Sequence, residues 1–174
     1  MLEVGVGPGV LKAVLNAVSN CAYTSMDIRP ELNPDYTGSV LDMPFLDNQY
    51  DIAVCFQVLE HLPYTSFEKA LSELLRVAKK MVIISLPNAG RAIQVHIPKI
   101  CRNRIFELPR IKKRAHVYNG VHYWEINQKG YDTRTIIDAI TGTAKKYNYV
   151  LTKEYRVYGN PYHHFFVLTN TSTT

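Results

Sequence analysis

Gly5, Gly7 and Gly9 alternate in MLEVGVGPG, directly after an apolar run and directly before a helical pattern. Glycines so placed make a tight turn between a strand and a helix, where backbone can approach a ligand and the helix start offers unpaired N–H groups. In an open α/β sheet a nucleotide-like cofactor sits outside the carboxyl end of such a strand. A dinucleotide fingerprint would need its third glycine at position 10, which is Val10, so the spacing disfavours a nicotinamide dinucleotide. Asp27 ends the strand read in CAYTSMDI, eighteen residues beyond Gly9, where a carboxylate can accept hydrogen bonds from both hydroxyls of a ribose. Farther along, Gln57, Glu60 and His61 follow the apolar run DIAVCF, and His122, Tyr123, Trp124 and Glu125 form the densest cluster of polar and aromatic side chains.

Regular elements must carry these groups. Val10, Leu11, Val14, Leu15 and Val18 recur with helical period, which predicts a helix from about Gly9 to Ser19 with one apolar face on a sheet. CAYTSMDI, DIAVCF and MVIISLP read as strands, and a brief strand or extended loop is expected between Asp35 and Leu41. Thr65 and Glu68 have capping-box spacing ahead of a helix that buries Phe67, Ala70, Leu71, Leu74 and Leu75. Asp132 is placed to cap a further helix with Ile136, Ile137 and Ile140 inward, and Gly159-Asn160-Pro161 joins two β-rich runs as a hairpin. Alternation of strands and helices implies parallel strands with right-handed crossovers, a doubly wound α/β sheet.

The 174 residues suit a single domain, 1–174, and no apolar run is long enough to span a bilayer. Three widely spaced cysteines, Cys21, Cys55 and Cys101, with no export signal, fit reduced thiols in a cytoplasm. The net charge of +5 is uneven: from Asn88 to Ile126 eight Lys and Arg face two Glu, so this segment alone carries six positive charges. Periodicity fails there, with Pro98 and Pro109 breaking the chain, so residues 88–126 read as a basic lid or insertion rather than a nucleic-acid surface.

EVGVGPG, MDI, GSVLDMPF, DIAVCFQVLEHL and IISLPN, in that order, resemble the class I S-adenosylmethionine-dependent methyltransferases of the small-molecule type. The resemblance implies a Rossmann-like, mostly parallel seven-stranded sheet whose last strand is inserted antiparallel, as the C-terminal hairpin suits. It implies that Gly5, Gly7 and Gly9 pass under the methionyl part of S-adenosylmethionine, that Glu3 helps hold its amino end, and that Asp27 binds the ribose. Ile28 would lie against the adenine, with Ser39 and the backbone of Val40 reading its edge. Ser39 departs from the family's usual Asp, and a hydroxyl accepts that bond more weakly. Gln57, Glu60 and His61 would face the methyl donor. Some similar O-methyltransferases hold a divalent cation in this segment through two carboxylates and a histidine; Gln57 in place of the first carboxylate argues for no metal and for activity without one.

Tyr123 and Trp124 are candidates for the acceptor pocket, although Trp124 equally suits a core anchor, and His61 or His122 could act as general base for an oxygen acceptor. The family also has a helix ahead of the first strand that covers the cofactor. Here the sequence opens within that strand, so either the sequence is a truncation or an exposed cofactor edge with weakened binding is expected. The expected activity is methyl transfer from S-adenosylmethionine to a small-molecule acceptor, anionic or lipid-like or at a membrane surface, with no specific nucleic-acid partner. The alternative is a non-catalytic domain that binds the same cofactor.

Overall fold

In the computed structural model, residues 1–97, 101–108, 115, 117–118 and 120–173 are described. Strand β1 (Leu2–Val4) leads through the glycine turn into α1 (Val10–Val18), then β2 (Thr24–Asp27), the short β3 (Tyr36–Thr37) and β4 (Tyr50–Phe56). Helix α2 (Phe67–Val77) and β5 (Ala78–Pro87) follow. A two-stranded ribbon, β6 (Ala92–Ile97) and β7 (Cys101–Glu107), precedes α3 (Thr133–Lys146), β8 (Tyr149–Val157) and β9 (Asn160–Asn170). The main sheet has the order β3-β2-β1-β4-β5-β9-β8. Pairs from β3 to β5 are parallel, and β9 enters antiparallel between β5 and β8.

Apolar spacing decides what each element buries. Leu2, Glu3 and Val4 are all buried because β1 is central and covered on both faces. Helix α2 buries Phe67, Ala70, Leu71, Leu74 and Leu75, as its period requires, and packs on α3, β4 and β5. From α3, Ile136 and Ile140 join the same core while Ile137 is partly buried. No described helix is long and apolar enough to cross a membrane.

Three expectations need correction. Helix α1 forms where its period places it, yet it buries no residue, and Val10, Val14 and Val18 are 62%, 50% and 74% exposed. Periodicity identifies an apolar face; it does not supply a partner for it. The capping box does not form, because Thr65 falls inside a 3₁₀ turn (Tyr64–Ser66), Ser66 is the N-cap without a side-chain bond, and Glu68 reaches Lys146 at 3.7 Å instead.

The third correction concerns the basic segment, which begins as the regular ribbon β6–β7. Arg156 fastens it to the sheet by donating to the Gly90 carbonyl at 2.7 Å and to Glu107 at 3.0 Å, and the Gly159 N–H donates to Gln94. Gln94 and Glu107 therefore face the β8–β9 turn, and the cross-strand pair Ile93 and Phe106 is turned outward. Lys99, Arg110, Lys112, Lys113 and Arg114 lie outside the described residues.

Candidate functional site

At the carboxyl ends of β1, β2 and β4 lies a cleft of about 550 Å³, within the ordinary range for small-molecule sites. Gly5 and Gly7 of the glycine turn line it, whereas Gly9, also expected there, does not. Gly5, Gly7 and Gly9 all have positive φ, at 85°, 48° and 76°, and the Gly5 N–H donates to the Met26 carbonyl at 2.8 Å. Gly9 is the N-cap of α1, so the first N–H groups of that helix open beside the turn. Asp27 reaches across from β2: one carboxylate oxygen accepts from the Val6 N–H at 2.9 Å, the other from the Arg29 N–H at 2.9 Å. A carboxylate oxygen has two lone pairs, so each retains an acceptor site after its backbone bond.

Gly5, Gly7, Asp27, Ile28, Ser39, Val40 and Gln57 line the cleft together, and Ile28 is 68% exposed there, as a platform for a flat ring must be. The Ser39 hydroxyl accepts the Leu41 N–H at 3.2 Å, which braces the loop. Glu3 does not line the cleft; it is 5% exposed and accepts a hydrogen bond from the Tyr23 hydroxyl, and burial raises its carboxyl above the usual range. Gln57 stands at the end of β4 with φ 54°, a left-handed backbone that costs a residue other than glycine about 1–3 kcal/mol. Its carboxamide donates to the Ser85 hydroxyl at 3.2 Å.

The far wall comes from the chain after the ribbon. Tyr118, Gly120 and Val121 line the cleft opposite Gln57 and His61. None of the three stood out by residue type, although Tyr118-Asn119-Gly120 carries a turn signal. This wall is pinned by backbone: the Tyr123 N–H donates to the Glu60 carbonyl at 2.9 Å, and the Ile126 N–H to Pro87 at 2.9 Å. His61 and His122 are thereby brought to 5.1 Å between ring centroids. Tyr123 is 42% exposed and its ring lies 4.6 Å from that of Tyr118.

Trp124, offered above for the acceptor pocket, is in the core. It is 0% exposed, ringed by Tyr64, Phe67 and Tyr131, and its indole N–H donates to the Leu62 carbonyl at 3.1 Å. Trp124→Ala should therefore cost about 3–5 kcal/mol of stability, read as a lower urea midpoint. An unchanged midpoint would show that the ring does not hold this wall down.

Glu60, expected beside His61 to face the methyl donor, does not line the cleft. It is 0% exposed, neither carboxylate oxygen has a hydrogen-bond partner, and burial, helped by the charge of Glu125, raises its pKa to about 8. A folded pKa above the unfolded 4.5 means that the folded state binds more protons, so stability falls as pH rises from 4.5 through 8. The full window is worth about 3–5 kcal/mol. In chelator-containing buffer, Glu60→Gln should raise the thermal midpoint at pH 8 and leave it nearly unchanged at pH 5; equal shifts at both would mean that Glu60 is not the titrating group.

Glycine turn, strand-end carboxylate and a cleft at the carboxyl edge of a parallel sheet define an α/β protein built for a nucleotide-like cofactor. Residues 2–86, just under half of the chain, match a family model described as a methyltransferase domain. An uncharacterized protein of Methanocaldococcus jannaschii is 39% identical over 62 residues, 36% of this chain and 23% of that protein, so the match spans about a quarter of the curated relative.

Among solved structures, the magnesium protoporphyrin IX methyltransferase of Synechocystis PCC 6803 with bound S-adenosylmethionine superimposes with a TM-score of 0.58 at 14% identity, covering 98% of this chain and 69% of that one. For the 1,6-didemethyltoxoflavin-N1-methyltransferase of Burkholderia thailandensis with bound S-adenosylhomocysteine the values are 0.61, 11%, 98% and 70%. A Pyrococcus horikoshii protein gives 0.61, 14%, 98% and 81%. At such identities the likeness is one of fold.

Proposed function

We propose that this protein transfers the sulfonium methyl of S-adenosylmethionine to a small-molecule acceptor. The observation that carries the reading is the joint placement of Gly5, Gly7, Asp27, Ile28 and Ser39 around one cleft that His61 also lines. In this reading the turn passes beneath the methionyl group, Asp27 binds the ribose hydroxyls with its remaining lone pairs, and Ile28 and Ser39 flank the adenine. Methyl transfer is an in-line displacement on an activated donor: the acceptor atom bonds to the methyl carbon as the carbon–sulfur bond breaks, leaving S-adenosylhomocysteine. The protein's part is alignment at about 3 Å in a site closed to water. His61, or His122 beside it, takes the proton of an oxygen acceptor.

The acceptor is anionic with an apolar body. The basic segment supports this, since Arg91 and Arg104 accompany the outward Ile93 and Phe106, which are 49% and 56% exposed. A panel of acceptors followed by S-adenosylhomocysteine release tests the activity, and no release with any acceptor would leave cofactor binding without catalysis. Exchanging Lys112, Lys113 and Arg114 for Gln should raise KM for the active acceptor and leave S-adenosylhomocysteine affinity alone; an unchanged KM would remove the basic segment from acceptor binding.

A further inference from the structure

A carboxylate that is wholly buried with neither oxygen hydrogen-bonded is costly unless something else satisfies it. Glu60 is such a group, and two imidazoles face it. His61 is its neighbour in the chain; His122 arrives because the Tyr123 N–H is tied to the Glu60 carbonyl at 2.9 Å. One ligating atom from each of Glu60, His61 and His122 lies within 4.8 Å of the other two.

The rings are held as metal-bound imidazoles are held. His61 Nδ1 lies 2.9 Å from the Val121 carbonyl oxygen, and His122 Nδ1 lies 2.9 Å from Glu125 Oε1. Both partners are acceptors, so each Nδ1 carries the proton and each lone pair sits on Nε2. A carbonyl or carboxylate on the second ring nitrogen fixes the tautomer and raises the basicity of the ligating one. Glu125 is itself braced by the Tyr162 hydroxyl, which donates at 2.9 Å to the same Oε1.

We propose that Glu60, His61 and His122 form a divalent transition-metal site of the zinc(II) kind. Two imidazoles and one carboxylate suit zinc and its first-row neighbours, whereas magnesium and calcium prefer all-oxygen sets. Gln57, whose presence argued against a metal, is not a member, since its carboxamide is engaged with Ser85. His61 also lines the cleft, so a metal held by these residues would border the space an acceptor would enter. An oxygen bound to that metal would lose its proton more readily, and its proton would pass to solvent, because His61 and His122 as ligands would no longer serve as the base.

Metal binding is measured without turnover, so this site stands or falls separately from methyl transfer. Chelator-treated protein is dialysed against zinc sulfate or magnesium chloride and its metal content measured. One zinc per chain at micromolar free metal, and no magnesium, is expected. Glu60→Gln should weaken zinc binding at least tenfold with the circular dichroism of the fold retained. Glu125→Leu, which removes the acceptor that braces His122, should weaken it about 10- to 100-fold. Cobalt(II) in place of zinc should show d–d bands without thiolate charge transfer, which separates this site from the cysteines. Absence of stoichiometric zinc, wild-type affinity in both variants, or a thiolate band would overturn the proposal.

Discussion

Gly5→Ala is expected to abolish measurable S-adenosylhomocysteine binding and to lower stability at the same time. The backbone at Gly5 has φ 85°, where a side chain costs about 1–2 kcal/mol. A Cβ there would also run into Cγ2 of Val58, and forcing an extra carbon into a packed site costs about 1–3 kcal/mol more. Because Val58 lies on the loop after β4 and Gly5 on the turn after β1, the clash pushes apart the two walls between which the cofactor lies. Calorimetric titration and a denaturant melt together check this. Adding Val58→Ala should restore part of the stability and little of the binding, since the clash goes and the left-handed strain stays. A Gly5→Ala protein that binds like wild type would show that the turn can relax without losing the cleft.

Asp27→Ala is the second large effect. It removes a charged acceptor from the cleft and leaves the Val6 and Arg29 N–H groups without their partner. A lost charge-assisted bond costs about 1.5–3 kcal/mol, roughly a 10- to 150-fold weaker Kd for S-adenosylhomocysteine. Asp27→Asn separates the two roles, because an amide oxygen can still accept a backbone N–H while the charge is gone. The asparagine variant should keep the fold and bind at least several-fold more weakly. Wild-type affinity in both would move the ribose away from Asp27.

Much of this arrangement is legible in the residues because each feature has a local cause. Alternate glycines before a helical period can only be a turn, and the strand runs around Asp27 and Gln57 are apolar enough to be central, so Gly5, Gly7, Asp27, Ile28, Ser39, Val40 and Gln57 fall on one cleft. What stayed hidden depends on distant chain. Trp124 is equally suited by type to a pocket or a core; its burial follows from the aromatic cluster of Tyr64, Phe67 and Tyr131, which no spacing announces. The ribbon β6–β7 was obscured because Gln94 and Glu107 point at the β8–β9 turn, so its alternation is polar inward. Helix α1 shows the reverse case, an apolar stripe without burial. The meeting of Glu60 with His122 rests on one backbone bond across 63 residues of sequence.

The central claim is that the cleft at the glycine turn holds S-adenosylmethionine, and the direct measurement is calorimetric titration of the wild-type chain with S-adenosylhomocysteine and, in parallel, with NADH. Saturable heat at one S-adenosylhomocysteine per chain, and none with NADH, is the predicted result. Binding of NADH without binding of S-adenosylhomocysteine would contradict it.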